Sequence, residues 1–295
     1  MSDRELRLGW VRGVVRRCVL AAAGVASLAG LATRGAAQTP PRFPLGPNAP
    51  AGAGVAPFFD GWYANPDGTI TLSFGFLNRN ARGAVDIPLG PDNRVEPASY
   101  DGMQPTHFPV MSYRAFGGRR ERGAFAVRVP KGFKGDVTWT LRHNGVTYSV
   151  PGRATSDYYK LSYTPQAAGS MMPVVRFAAD GPESVGREGV TTGPLAATVG
   201  APLEIRVWAA DRGERAPIPV NMTWFKHQGP GDVTFEPGNA KTAPGGGEAT
   251  TTARFSAPGD YLLRVRVDNF GITDSAPGQQ CCWANGYVKV RVRAS

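Results

Sequence analysis

Apolar and polar residues alternate in short runs along most of this chain. Ile70, Leu72, Phe74 and Phe76 interleave with Thr71, Ser73 and Gly75, and Tyr261, Leu263, Val265 and Val267 sit on the opposite face from Arg264 and Arg266. A period of two is the mark of a half-buried strand. Turn residues punctuate these runs: Asn65-Pro66-Asp67-Gly68, Asn144-Gly145, Gly229-Pro230-Gly231 and Ala257-Pro258-Gly259-Asp260. Outside the N-terminus, no stretch sustains a helical apolar period for three turns. Short strands separated by such turns predict an all-β chain built from sandwiches.

The composition agrees with that pattern. Gly (38) and Pro (26) are abundant and charged residues are scarce at 19%, which suits many turns and short strands. A chain of 295 residues has room for two domains. The first is predicted over 57–162, with strands near 69–77, 124–129, 137–142 and 146–150. Within it lies a long turn-rich piece over 88–122. A linker is expected at 163–172. The second domain is predicted over 173–295, with strands near 174–177, 196–199, 203–209, 220–226, 233–235, 250–255, 261–267 and 287–292, and a flexible loop at 240–247. Seven or eight short strands make the second domain an expected immunoglobulin-like β-sandwich, and the first is expected to be one as well, the two in tandem.

The first 37 residues read as a targeting segment. Arg12, Arg16 and Arg17 precede an apolar run over 18–32, and Gly35-Ala36-Ala37 offers small residues for cleavage. The run is too short to span a bilayer, and no other segment is long and apolar enough to do so. The Arg16-Arg17 pair followed by Val19-Leu20 would fit a twin-arginine signal. Val15 stands where Ser or Thr is usual, so general secretion is the better reading. Residues 38–56 are a Pro, Gly and Ala leader without enough apolar surface to order itself. The mature chain is therefore expected to be secreted or periplasmic.

The whole chain carries a net charge of +10, and removing residues 1–37 leaves about +6, with Arg the commoner cation. In an exported protein this favours an anionic polysaccharide or cell-envelope component over nucleic acid. Only Cys281 and Cys282 survive processing, and adjacent cysteines cannot staple two strands. They are open to three readings: a vicinal disulfide, two thiols on a soft metal, or a bond to another chain.

Trp224, Lys226, Gly229-Pro230-Gly231, Val233, Phe235, Phe255, Pro258-Gly259, Tyr261, Leu263 and Arg264 together resemble the PKD-type immunoglobulin-like modules of bacterial surface proteins. The segments D-G-W-Y-A-N-P-D-G-T (60–69), Q-P-T-H-F (104–108) and Q-C-C-W-A-N-G-Y-V-K-V (280–290) are similar to a group of bacterial secreted proteins of unknown function. The resemblance implies a spacer, binding or adhesion role and no catalytic one.

Three places carry candidate chemistry. Alternation puts Arg264, Arg266, Lys289, Arg291 and Arg293 on one outward sheet face with Phe225 alongside, a surface for an anionic ligand. A loop site would use His107, helped by Asp101 and Arg114, with Arg119 and Arg120 nearby. The Cys281-Cys282 pair is the third. Asp86, Asp92 and Glu96 are carboxylates whose separation would decide any glycosidase chemistry. No G-x-S-x-G, P-loop, H-E-x-x-H or EF-hand pattern occurs, and no His lies within four residues of another. The chain is expected to be a non-enzymatic interaction or structural protein with no cofactor. A metal-handling or redox accessory centred on the cysteines is the alternative, and an enzyme with its site in 102–122 comes third.

Overall fold

The computed structural model describes residues 52, 54–112, 119–154, 157–161, 169–269 and 282–295. The signal segment, nearly all of the leader, Arg114 and Cys281 lie outside them. Residues 49–295 form one compact unit.

The architecture is all-β, as the alternation predicts. The N-terminal half contains β1 (Val55–Ala64), β2 (Ile70–Asn78), β3 (Val85–Asp86), β4 (Asn93–Glu96), β5 (His107–Phe108), β6 (Glu121–Val129), β7 (Val137–His143) and β8 (Val146–Gly152). One sheet is ordered β1-β2-β6, another β4-β7-β8, and β3 pairs with β5. The first strand begins inside the expected leader, because Val55 is buried and pairs with Asn78. The two predicted hairpins form. Gly68 N–H donates to Asn65 O at 2.9 Å. Asn144 and Gly145, at φ 51° and 74°, join β7 to β8 in the left-handed geometry that a two-residue hairpin needs. The core lies between the sheets. Phe74 stacks on Phe125 at 5.2 Å, and Phe125 meets the edge of Trp139 at 4.9 Å. The turn-rich stretch 88–122 is not wholly irregular, since it holds β4 and β5.

The C-terminal half contains β9 (Val174–Arg176), β10 (Ser184–Val185), β11 (Val190–Thr198), β12 (Leu203–Ala210), β13 (Pro219–Gln228), β14 (Val233–Glu236), β15 (Asn239–Pro244), β16 (Gly246–Phe255), β17 (Gly259–Asp268) and β18 (Trp283–Arg293). The hydrogen-bonded path runs β10-β9-β12-β16-β15-β13-β17-β18-β11, with β14 beside β16. It folds over between β15 and β16, where only Ala243 and Gly246 pair. The two layers so formed share one core: Ile205, Val207 and Phe255 from one side, Trp224, Leu263, Val265 and Val290 from the other. Two features are those of an immunoglobulin-like sandwich. First, β11 pairs parallel to the last strand, β18, while β18 and β13 flank β17 antiparallel. Second, Tyr261 opens β17 as a corner: its hydroxyl donates to Ala257 O at 2.8 Å and accepts from Gly231 N–H at 3.0 Å. The predicted flexible loop at 240–247 is instead strand on both sides of a tight Gly turn. Gly246 sits at φ 117°, and a Cβ there would lie 2.2 Å from Ala209 O.

Candidate functional site

The halves meet across sheet faces that alternation alone assigns to solvent. On β2, Leu72 and Phe74 point into the core, yet Thr71 and Ser73 on the opposite face are also fully buried. The C-terminal half covers that face. Its outward residues around β17 and β18 contribute Arg264, Arg266, Asn285 and Tyr287.

Two bulges build the first-half side. The β1–β2 register shifts between Phe59 and Gly61, which places Asp60 on the junction face. The β2–β6 register shifts between Phe74 and Phe76, opposite Glu121 and Gly123. Gly123 stands at φ 57°, and a Cβ there would lie 2.2 Å from the Trp283 indole nitrogen. Its carbonyl accepts from Asn285 Nδ2 at 2.9 Å and from Arg264 at 3.2 Å.

Glu121 is the centre of this face. Its carboxylate, wholly buried, takes a direct ion pair from Arg264 and a second from Arg266 at 3.3 Å. The guanidinium of Arg264 lies 4.6 Å above the Phe225 ring and that of Arg266 5.8 Å away. A second group of charges sits beside it. Asp60 pairs with Arg120 and accepts from Gly123 N–H at 2.6 Å. Burial pushes the Asp60 carboxyl up, against the pull of Arg120, that N–H and Arg187. Arg187 is fully buried, 3.9 Å over the Trp283 ring, while Glu188 accepts from Tyr63 at 2.8 Å. Gly186 and Gly189, both at positive φ, let the chain carry Arg187-Glu188 into this narrow space.

A third cluster lies around the end of β13. Lys226 Nζ is 3.2 Å from Asp86, which also pairs with His107 Nδ1 at 2.8 Å. Burial works to raise Asp86, but His107 and Lys226 outweigh it and hold the carboxyl below its usual range. His227 Nε2 donates to Met103 O at 2.8 Å, and its own carbonyl accepts from Thr106 N–H. Burial first, and Arg264 second, depress His227 to about 3, so it is a neutral imidazole. Gln228 donates to the Gly102 and Gln104 carbonyls. Phe76, Pro105, His107, Met111, Phe225 and Lys226 line a cleft here with about 10 Å³ of free space, room for one water and too little for an organic substrate.

The expected basic face is therefore divided. Phe225, Arg264 and Arg266 do share a sheet face, but it is closed against Glu121 and is not open to a ligand. The desolvated guanidiniums need a carboxylate partner, and the first half supplies it. Lys289, Arg291 and Arg293, farther along β18, remain exposed; Arg291 pairs with exposed Asp260 at 2.9 Å.

The loop site is also redistributed. His107 has Asp86 as its partner, while Asp101 accepts from Gln104 Nε2 and Val95 N–H. Arg119 donates to the Asn78 and Asn80 carbonyls, and Arg120 belongs to Asp60. The three carboxylates considered together disperse: Asp92 pairs with Arg142, Glu96 with Arg94, and Asp86 with His107. Cys282 is buried and disulfide-bonded, so it is not a thiolate ligand. Among the described residues no three His, Cys, Asp or Glu gather as a metal site.

Sequence reasoning did not single out Glu121, Asp60 or Arg187 as partners. The signals available were indirect: a lone Glu opening a strand, and G-R-E-G at 186–189.

No family model matches the chain, the PKD type included, and no curated protein matches it. Solved structures similar to it include the D00–D0 domain of intimin, at 12% identity and TM-score 0.26, covering 80% of this chain and 98% of that one. Domains 4 and 5 of the S-layer protein SbsC match at 16% identity and TM-score 0.23, covering 56% and 68%. The PapD-like domain 7 of human CEP192 matches at 8% identity and TM-score 0.29, covering 46% of this chain and 92% of that one.

Proposed function

We propose that this chain is a secreted or periplasmic, non-enzymatic interaction or structural protein whose partner is an anionic polysaccharide or another cell-envelope component. The observation that carries the reading is how its charges are used. Glu121, Asp60, Arg187, Arg264 and Arg266 join one half to the other, while Lys289, Arg291 and Arg293 form an exposed cationic row on β18. The surviving partner surface is this row, smaller than the five-cation face.

Retention on a heparin column tests it. The Lys289→Ser, Arg291→Ser, Arg293→Ser triple variant should elute at lower salt than the parent; an unchanged elution would overturn the ligand assignment.

The same reading takes the halves as two tandem sandwich domains, 57–162 and 173–295, the second of PKD type. Two separate sets of core residues support it. It also takes residues 1–37 as a cleaved signal and Cys281-Cys282 as a vicinal disulfide, supported by the bonded state of Cys282. N-terminal sequencing of the exported protein tests the first. Peptide mapping under non-reducing conditions tests the second.

A further inference from the structure

Three large apolar side chains are exposed among the described residues: Leu89, Tyr158 and Tyr159. The two tyrosines are adjacent, at 91% and 44% exposure, on the short 3-10 turn Asp157–Tyr159. That turn is firmly mounted. Lys160 N–H donates to Asp157 O, Lys160 bridges to Trp62 in parallel, and Leu161 N–H donates to Trp62 O at 2.6 Å. Leu161 is then buried with Tyr63 and Met172. The seat on β1 is Gly61, at φ 141°; a Cβ there would lie 2.3 Å from Tyr159 O, so only glycine admits the turn. The Tyr159 ring packs on Phe59 at 5.5 Å, and Tyr158 stands against Tyr159 at 5.5 Å and 81°. Lys160 Nζ lies 5.7 Å from the Trp62 ring centre.

We propose that Tyr158 and Tyr159, flanked by Asp157 and Lys160, form a platform for a pyranose ring of a glycan chain. A sugar ring has a flat C–H face and a rim of hydroxyls. The exposed aromatic face accepts the first. The Asp157 carboxylate, the Lys160 ammonium and the Tyr158 hydroxyl supply acceptors and donors for the second. An apolar helix or strand laid on the same turn would desolvate Asp157 and Lys160 without pairing them, which disfavours that occupant. The mounting on Gly61, Phe59 and Trp62 holds Tyr159 in place before binding, which lowers the ordering cost. The platform is in the other half from the β18 cationic row, and its ligand need carry no charge, so it stands or falls apart from that row.

Calorimetric titration of the full mature chain with chitohexaose and with cellohexaose tests the platform. Saturable binding to one of them is expected, weakened at least about tenfold by Tyr158→Ala and kept by Tyr158→Trp. It should persist in the Lys289→Ser, Arg291→Ser, Arg293→Ser triple variant. Tyr158 is almost fully exposed, so its removal leaves the fold, which a thermal melt checks. Three results would each overturn the proposal: binding of neither hexasaccharide, equal binding by Tyr158→Ala, or a change in oligomeric state by light scattering as the sole effect of Tyr158→Ala, which would make the turn a contact between copies of this chain.

Discussion

Glu121 on β6 accepts directly from Arg264 on β17, and both side chains are withdrawn from water. They lie in different halves of the chain, 143 positions apart. A buried pair of this kind contributes little over a well-packed apolar pair, but breaking it strands a charge. Glu121→Ala should therefore destabilise the protein by about 3–5 kcal/mol. Replacing both partners, Glu121→Leu with Arg264→Met, should cost clearly less than the single change. Urea unfolding of the parent and the two variants checks this; equal losses in the single and double variants would contradict it.

Gly123 tests the closeness of the halves. Its positive φ and the 2.2 Å approach of a Cβ to the Trp283 indole leave no space for alanine. Gly123→Ala should lower stability by about 2–3 kcal/mol. A tryptophan emission shift should accompany it, because Trp283 moves.

His227 predicts an acid sensitivity with a definite sign. Its folded pKa is lowered to about 3 from 6.5. As pH falls below 6.5 the unfolded chain takes up a proton that the folded one refuses, so stability is lost between about pH 6.5 and pH 3. The loss approaches about 4 kcal/mol at the acid end. His227→Gln keeps a donor toward Met103 O and cannot titrate, so its stability should be flatter over that window. Parallel slopes for the two proteins would refute the assignment.

Tyr261 predicts a modest, local effect. Its hydroxyl makes two backbone hydrogen bonds at the β17 corner, while its ring fills core beside Phe255 at 4.9 Å. Tyr261→Phe keeps the ring and should cost about 1–2 kcal/mol, measured by thermal melting, with the fold retained.

Much of the β architecture is legible in the chain. Period-two alternation locates β2, β17 and β18 and assigns their core faces correctly, because those inward residues are apolar in an otherwise polar strand. The hairpins at 65–68 and 144–145 are legible because Asn and Gly supply backbone geometry that few other residues adopt. The tyrosine corner follows from Tyr261 standing at a strand start after a Pro-Gly turn. The strand character of 240–247 is not legible, since A-K-T-A-P-G-G-G carries no alternation and its pairing is made with distant β13 and β12.

The candidate site divides along the same line. From composition and pattern alone the chain specifies an all-β build, an inner and an outer face for each main strand, and a surplus of arginine. Which outer faces meet water was decided only by tertiary structure. Alternation reports that a residue leaves its own core; it carries no information on whether another sheet covers it. Arg264 and Arg266 point outward as predicted, yet Arg264 becomes buried and Arg266 largely covered, because Glu121 arrives from the other half. Lys289, Arg291 and Arg293 follow the same alternation and stay in solvent.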